Sequence, residues 1–101
     1  MTVLVTLRVS ADASKVEEMA AGEGAPFKTV TERAKELGCT RHRFYGSDSE
    51  VLVVDEWPNE ASFHAFFEAS PEIQDVMGKA GVTTAPEIKV WRKLDVGDDI
   101  G

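Results

Sequence analysis

Val3, Val5, Leu7 and Val9 alternate with Thr2, Leu4, Thr6 and Arg8, so the chain opens on a strand with one strongly apolar face. Ser10, Asp12 and Ser14 follow as helix-start residues, and Ser14 with Glu17 fits a capping box. This first helical piece is expected to run to about Ala21, where Gly22, Gly24 and Pro26 break it. A second piece carries Phe27, Val30, Ala34 and Leu37 at helical spacing, with Gly38 as its C-terminal stop. Residues 40–46 and 51–57 predict two strands joined through Ser47, Asp48, Ser49 and Glu50 as a hairpin. Asn59 is placed to cap a helix bearing the stripe Phe63, Phe66, Phe67. Ser70 and Pro71 predict an N-cap and first residue for a further helix, with Ile73, Val76 and Met77 as its apolar stripe and Gly78 or Gly81 as its end. Residues 87–94 read as the last strand, and residues 95–101 as an acidic mobile tail.

The order β-α-β-β-α-β is the split βαβ, or ferredoxin-like, α+β arrangement: one four-stranded antiparallel sheet with helices on one face. The expected domain spans residues 1–94. Strand three is apolar on both faces, Val51 and Val53 on one and Leu52 and Val54 on the other. The chain is too short to supply a second covering layer of its own, so a partner sheet in a homodimer is expected.

The hairpin makes the sharpest expectation. A two-residue turn at Asp48–Ser49, or a four-residue loop, sets Gly46 opposite Val51, Phe44 opposite Val53, His42 opposite Asp55 and Thr40 opposite Trp57. A three-residue loop breaks this set. With the register intact, one face gathers Thr40, His42, Phe44, Val53, Asp55 and Trp57. A carboxylate beside an imidazole fixes its tautomer and balances a positive charge on it, which suits a general acid or base. The same pair equally serves as a structural link between two half-buried strands. Trp57 offers a flat wall for an aromatic ligand, and Phe63, Phe66 and Phe67 serve either as core or as pocket lining.

Composition narrows the partners. Eighteen acids against eleven bases give a net charge of −7 in 101 residues, which argues against nucleic acid and anionic membrane surfaces. No run approaches the apolar length of a membrane helix, and the alternating start reads as a strand, not as a signal peptide. A lone Cys39 makes no internal disulfide, so the cytoplasm is the expected compartment. Cys39 itself fits a small buried apolar position. His42 and His64 have no ligand spacing with other donors, so no metal is expected. His64 falls at the polar edge of its helix. The stretch 22–27 lacks the dinucleotide-binding glycine pattern, and no nucleophile elbow is present.

Leu37-Gly38-Cys39, Val53-Val54-Asp55-Glu56-Trp57, and Glu60 and Phe63 with Ser70-Pro71 together resemble the dimeric α/β-barrel superfamily, and within it the antibiotic biosynthesis monooxygenase-like domains. The likeness covers residues 1 to about 94. The His42-Arg43-Phe44 and Val53–Trp57 patterns also resemble those of actinobacterial proteins. The resemblance implies a homodimer with one pocket per subunit between sheet and helices. It also implies cofactor-free oxidation of anthrones, quinols or related aromatics by dioxygen, with Trp57 lining the pocket. Other members degrade heme, using a strand-one Asn where this chain has Val5 and a helical His where residues 65–85 hold none. Many members carry a His shortly before the Ser-Pro, where this chain has Phe66 and Phe67. His42 would supply the imidazole from a different strand.

Three functions are compatible with these residues. The first is a cofactor-independent monooxygenase acting on a small electron-rich aromatic, with His42 oriented by Asp55 as catalytic pair and Trp57, Phe44, Phe63, Phe66 and Phe67 around the ligand. The second is a non-catalytic module binding a small apolar or aromatic molecule in the same pocket. The third is a dimeric interaction module with a filled core.

Overall fold

The protein is described by a computed structural model covering residues 2–22, 24–82 and 84–101. Met1, Glu23 and Thr83 lie outside the described residues; the domain's first position and the second residue of the 22–27 break fall there. The elements are β1 (Val3–Ser10), α1 (Ala13–Gly22), α2 (Ala25–Glu36), β2 (Arg41–Gly46), β3 (Glu50–Trp57), α3 (Glu60–Glu68), α4 (Glu72–Lys79) and β4 (Glu87–Arg92). They form one antiparallel sheet in the order β2-β3-β1-β4, the ferredoxin-like α+β fold. The last strand stops at Arg92, two residues short of the expected end.

The strand pattern decides which face is covered. The ladders align Val5 with Asp55 and Val90, and Leu7 with Val53 and Ile88. All of these share the helix-covered face. Its packed part joins Val5, Ala34, Cys39, Trp57, Phe63 and Phe66. The opposite face carries Leu4, Leu52, Val54, Tyr45 and Trp91, and Trp91 remains 47% exposed.

Local chemistry sets the helix ends, with two departures from expectation. Asp12, not Ser14, caps α1: Asp12 Oδ1 accepts from Ser14 N at 2.9 Å. Asp12 is the residue directly before the first helical one, Ala13, so its carboxylate meets the free N–H two residues on, while Ser14 already lies inside the helix. Ser70 does not cap α4 through its side chain. Its hydroxyl turns back and donates to the Phe66 carbonyl at 2.7 Å, closing α3 instead. Asn59 does cap α3, accepting from Ser62 N at 2.8 Å. Helices α2 and α4 both end in the paired bonds of a Schellman turn. Cys39 N donates to Ala34 O and Gly38 N to Lys35 O, while Val82 N donates to Met77 O and Gly81 N to Gly78 O. Both motifs need a left-handed residue, supplied by Gly38 (φ 112°) and Gly81 (φ 81°). Gly78 therefore lies inside α4, and Gly81 ends it.

Arg33 ties the helix layer together. Its Nη1 and Nη2 donate to the two carboxylate oxygens of Glu72 at 2.7 and 2.9 Å, and Nη1 also reaches Ser70 Oγ at 3.2 Å. This fork joins α2 to the α3–α4 turn and holds the Glu72 carboxyl down to about 2, chiefly through the hydrogen bonds from Arg33.

Candidate functional site

The helix layer is packed at one end of the sheet and hollow at the other. A cavity of about 100 Å³ lies beside the packed cluster, between the sheet and the helices. Its floor comes from β1, β2 and β3 through Leu7, Val9, Phe44, Val51 and Val53, and its roof from α2, α3 and α4 through Phe27, Val30, Phe67, Ile73 and Met77. The sequence shows why this side stays open. Along β1 and β3 the inward positions are Leu or Val, which do not reach the helices as Trp57 does at the other end. Consequently α1 and α4 have no buried residue, although both carry apolar stripes. Phe44 lines the space yet is 44% exposed, so it forms a rim on the outer strand β2, with Phe27 at 6.0 Å between ring centroids.

Two of the lining residues, His42 and Asp55, carry strongly polar side chains, and the other lining side chains are apolar. The ladder pairs them directly, in the register expected from the two-residue turn; Ser47 N donates to Glu50 O at 2.9 Å beside that turn. His42 Nδ1 stands 2.6 Å from Asp55 Oδ1. An ionised carboxylate only accepts, so Nδ1 carries the proton and Nε2 of the neutral ring is bare. Among the described residues nothing hydrogen-bonds Nε2 and no buried polar side-chain atom lacks a partner, so Nε2 borders open space. The Phe44 ring and the imidazole stand perpendicular, 5.3 Å between centroids, in the edge-to-face arrangement that aromatic pairs favour.

Of the residues expected around a ligand, Phe44, Phe63, Phe66 and Phe67 line the cavity. Trp57 does not. It is completely buried in the packed end, with Phe66 at 5.1 Å and Phe63 at 6.0 Å between centroids, and those two rings stand between it and the hollow. Its indole N–H donates to Asp55 Oδ2 at 3.2 Å. The wall expected of Trp57 is thus supplied by the Phe63 and Phe66 rings in front of it. The roof residues Val30, Ile73 and Met77 belong to stripes that the sequence offered as core; helical spacing signals an inward face without saying what fills the space it faces. His64 is exposed and paired with Glu60 on its own helix at 3.0 Å. Cys39 Sγ donates to the Arg41 carbonyl at 3.1 Å, and burial followed by the nearby Asp55 charge pushes the thiol up. Among the described residues no group of three or more His, Cys, Asp or Glu side chains is placed to hold a metal ion. No helix among them is long and apolar enough to cross a membrane.

No protein-family model and no curated protein matches the sequence significantly. Solved structures do match in three dimensions. Rv0793 from Mycobacterium tuberculosis is 18% identical, over 97% of this chain and 100% of its own, with a TM-score of 0.63. SnoaB, a cofactor-independent oxygenase from Streptomyces nogalater, is 14% identical over 94% of this chain and 95% of its own, with a TM-score of 0.63. A candidate antibiotic biosynthesis monooxygenase from Bordetella bronchiseptica is 15% identical over 92% and 97%, with a TM-score of 0.65. The fold is that of the antibiotic biosynthesis monooxygenase-like proteins. At these identities the likeness fixes the antibiotic biosynthesis monooxygenase-like architecture and leaves the chemistry to the side chains, since function resides in the site and not in the fold.

Proposed function

We propose that this chain is a cofactor-independent monooxygenase acting on a small electron-rich aromatic of quinol or anthrone type. The observation that carries the reading is an otherwise apolar cavity into which one hydrogen-bonded His–Asp pair is set, with the imidazole Nε2 unengaged. Among the described residues no lysine or arginine lines the space, so an anionic substrate meets no fixed counter-charge from them. A neutral ring with one acidic hydroxyl matches both the apolar wall and the single base. The architecture shared with a cofactor-independent oxygenase supports the same reading.

In this reading His42 Nε2 takes the hydroxyl proton, and Asp55 balances the imidazolium that forms. For an anthrone, the substrate anion passes an electron to dioxygen, and the radical pair joins as a carbon–oxygen bond, giving a peroxide at the carbon that was the ring methylene. The proton returns from His42 to the peroxide. Loss of water across the C–H and O–O bonds leaves a carbonyl. The balance is one methylene and one dioxygen giving one carbonyl and one water. The apolar walls keep bulk water from the anion and hold the ring in line.

The test is oxygen uptake with an anthrone as probe. His42→Ala should keep the fold and lose about 10²- to 10⁴-fold in rate, the usual worth of a general base. Full activity in that variant excludes His42 as the base, and saturable binding without oxygen uptake in the unaltered chain makes this a binding module.

The second layer is also proposed to be a second copy of the chain. The uncovered face sets an apolar band, Leu4, Leu52, Val54 and Trp91, among ion-paired charges: Arg8 between Glu50 and Glu87, and Arg41 with Glu56 at 3.3 Å. Such a face suits a like face related by two-fold symmetry. Sedimentation should give a dimer, and Val54→Asp should give a monomer. A monomer mass for the unaltered chain at micromolar concentration overturns this.

A further inference from the structure

We infer that Trp57 is a positioning residue of the dyad: its indole N–H locks the Asp55 carboxylate and, through it, the proton on His42 Nδ1. This rests on the reading of His42 as the base, although its test does not require turnover. The argument starts from what Trp57 cannot do. It is fully buried and absent from the cavity wall, so it touches no occupant of the hollow. Any influence it has there passes through another side chain.

That side chain is Asp55. The two residues lie two apart on β3 and therefore on one face. A buried indole N–H needs an acceptor, and here it takes Asp55 Oδ2 at 3.2 Å. The imidazole takes Oδ1 at 2.6 Å. The carboxylate torsion of an aspartate is broad and roughly two-fold, so one donor alone leaves the group free to swing. Two donors from different directions leave it one orientation. Trp57 is itself held by Phe63 and Phe66, so the donor is rigid. The chain of constraint runs from the packed end of the helix layer to the hollow end: phenyl rings, indole, carboxylate, imidazole, and finally a bare Nε2.

The experiment removes one atom pair and keeps the shape. In a Trp91→Phe chain, Trp57 is replaced by β-(3-benzothienyl)alanine, in which sulfur stands where the N–H was. The His42 ring nitrogens are then read by ¹⁵N NMR at a pH where the ring is neutral. The Trp91→Phe chain should carry its proton on Nδ1. The analogue should lower the ratio of the Nδ1–H to the Nε2–H form by about three- to tenfold, the equilibrium worth of one ordinary hydrogen bond. An unchanged ratio overturns the inference. A second measurement uses the unaltered protein and does not depend on the analogue folding. The Trp57 indole proton resonance should move with pH in step with the His42 ring, and Asp55→Asn should abolish that coupling. An indole resonance that stays flat while His42 titrates overturns the inference too. Neither readout uses a substrate. A locked ring in a protein that consumes no oxygen with any probe defeats the proposed reaction and leaves the lock standing, while turnover with an unlocked ring does the reverse.

Discussion

Asp55→Asn separates the electrostatics of the dyad from its architecture. The amide has one acceptor where the carboxylate has two. With its oxygen toward His42, its NH₂ faces the Trp57 indole N–H, donor against donor at 3.2 Å. With its oxygen toward Trp57, the NH₂ faces His42 Nδ1 at 2.6 Å, which is acceptable once the imidazole proton moves to Nε2. The second arrangement satisfies every group, so the variant should adopt it. Two charge-assisted hydrogen bonds become neutral ones, offset by no longer burying a charge, and the net cost should be about 1 kcal/mol. In a domain of this size that lowers Tm by about 4–8 °C. Activity should respond far more. The ring nitrogen left without a protein partner then carries a proton and cannot accept another; the analogous exchange in a serine-protease triad costs about 10⁴ in rate. The assay pairs a thermal melt with oxygen uptake and with ¹⁵N shifts of the ring. An Asn variant within tenfold of the unaltered rate, or one whose proton stays on Nδ1, refutes the reasoning.

The remaining predictions test the frame around the site. Glu72 binds fewer protons folded than unfolded between its ordinary value near 4.5 and its folded value of about 2, so the Arg33 fork contributes stability that is full above 4.5 and is lost as pH falls through 2. Denaturant titrations should show Glu72→Gln flattening that acid limb while leaving its slope above pH 6 unchanged. The Cys39 thiol, raised by burial, should react with a thiol-specific disulfide reagent at neutral pH only as the chain unfolds, and rapid labelling of the folded protein would contradict its placement. Phe66→Ala should cost about 3–5 kcal/mol because it cuts the packed cluster. Phe44→Ala, at the exposed rim, should cost under about 1.5 kcal/mol by the ordinary range for a half-exposed side chain and should weaken probe binding instead; both are read by urea melts.

The parts of this molecule that strict periodicity governs were legible in its residues. Alternation placed β1 and β3, and the number of residues between the two hairpin strands paired His42 with Asp55, because a ladder register is a matter of counting. Caps were legible only in part. Asp12 and Ser14 both satisfy the rule for a helix start, and which one reaches the free N–H is decided by a single turn of backbone. Ser70 is correct for an N-cap in sequence, but the Phe66 carbonyl was nearer. Trp57 was assigned to the right face and the wrong depth. Depth depends on how α3 lies across the sheet, and that is set by many partners at once. Periodicity carried no signal of the cavity, which only the family resemblance implied, since Ile73, Val76 and Met77 form the same stripe whether they meet a core or a hollow.

The absence of any buried residue in α1 and α4 has a thermodynamic consequence. These helices hold few of the buried contacts that resist local opening, so their hydrogen bonds should break at a lower free energy than those of the sheet. On the proposed reading an aromatic occupant would supply the missing contacts, and part of its binding energy would be spent on closing these helices. Exchange of small molecules with the interior would then be paced by the opening of these two helices, while the strands carrying His42 and Asp55 stay in register beneath them.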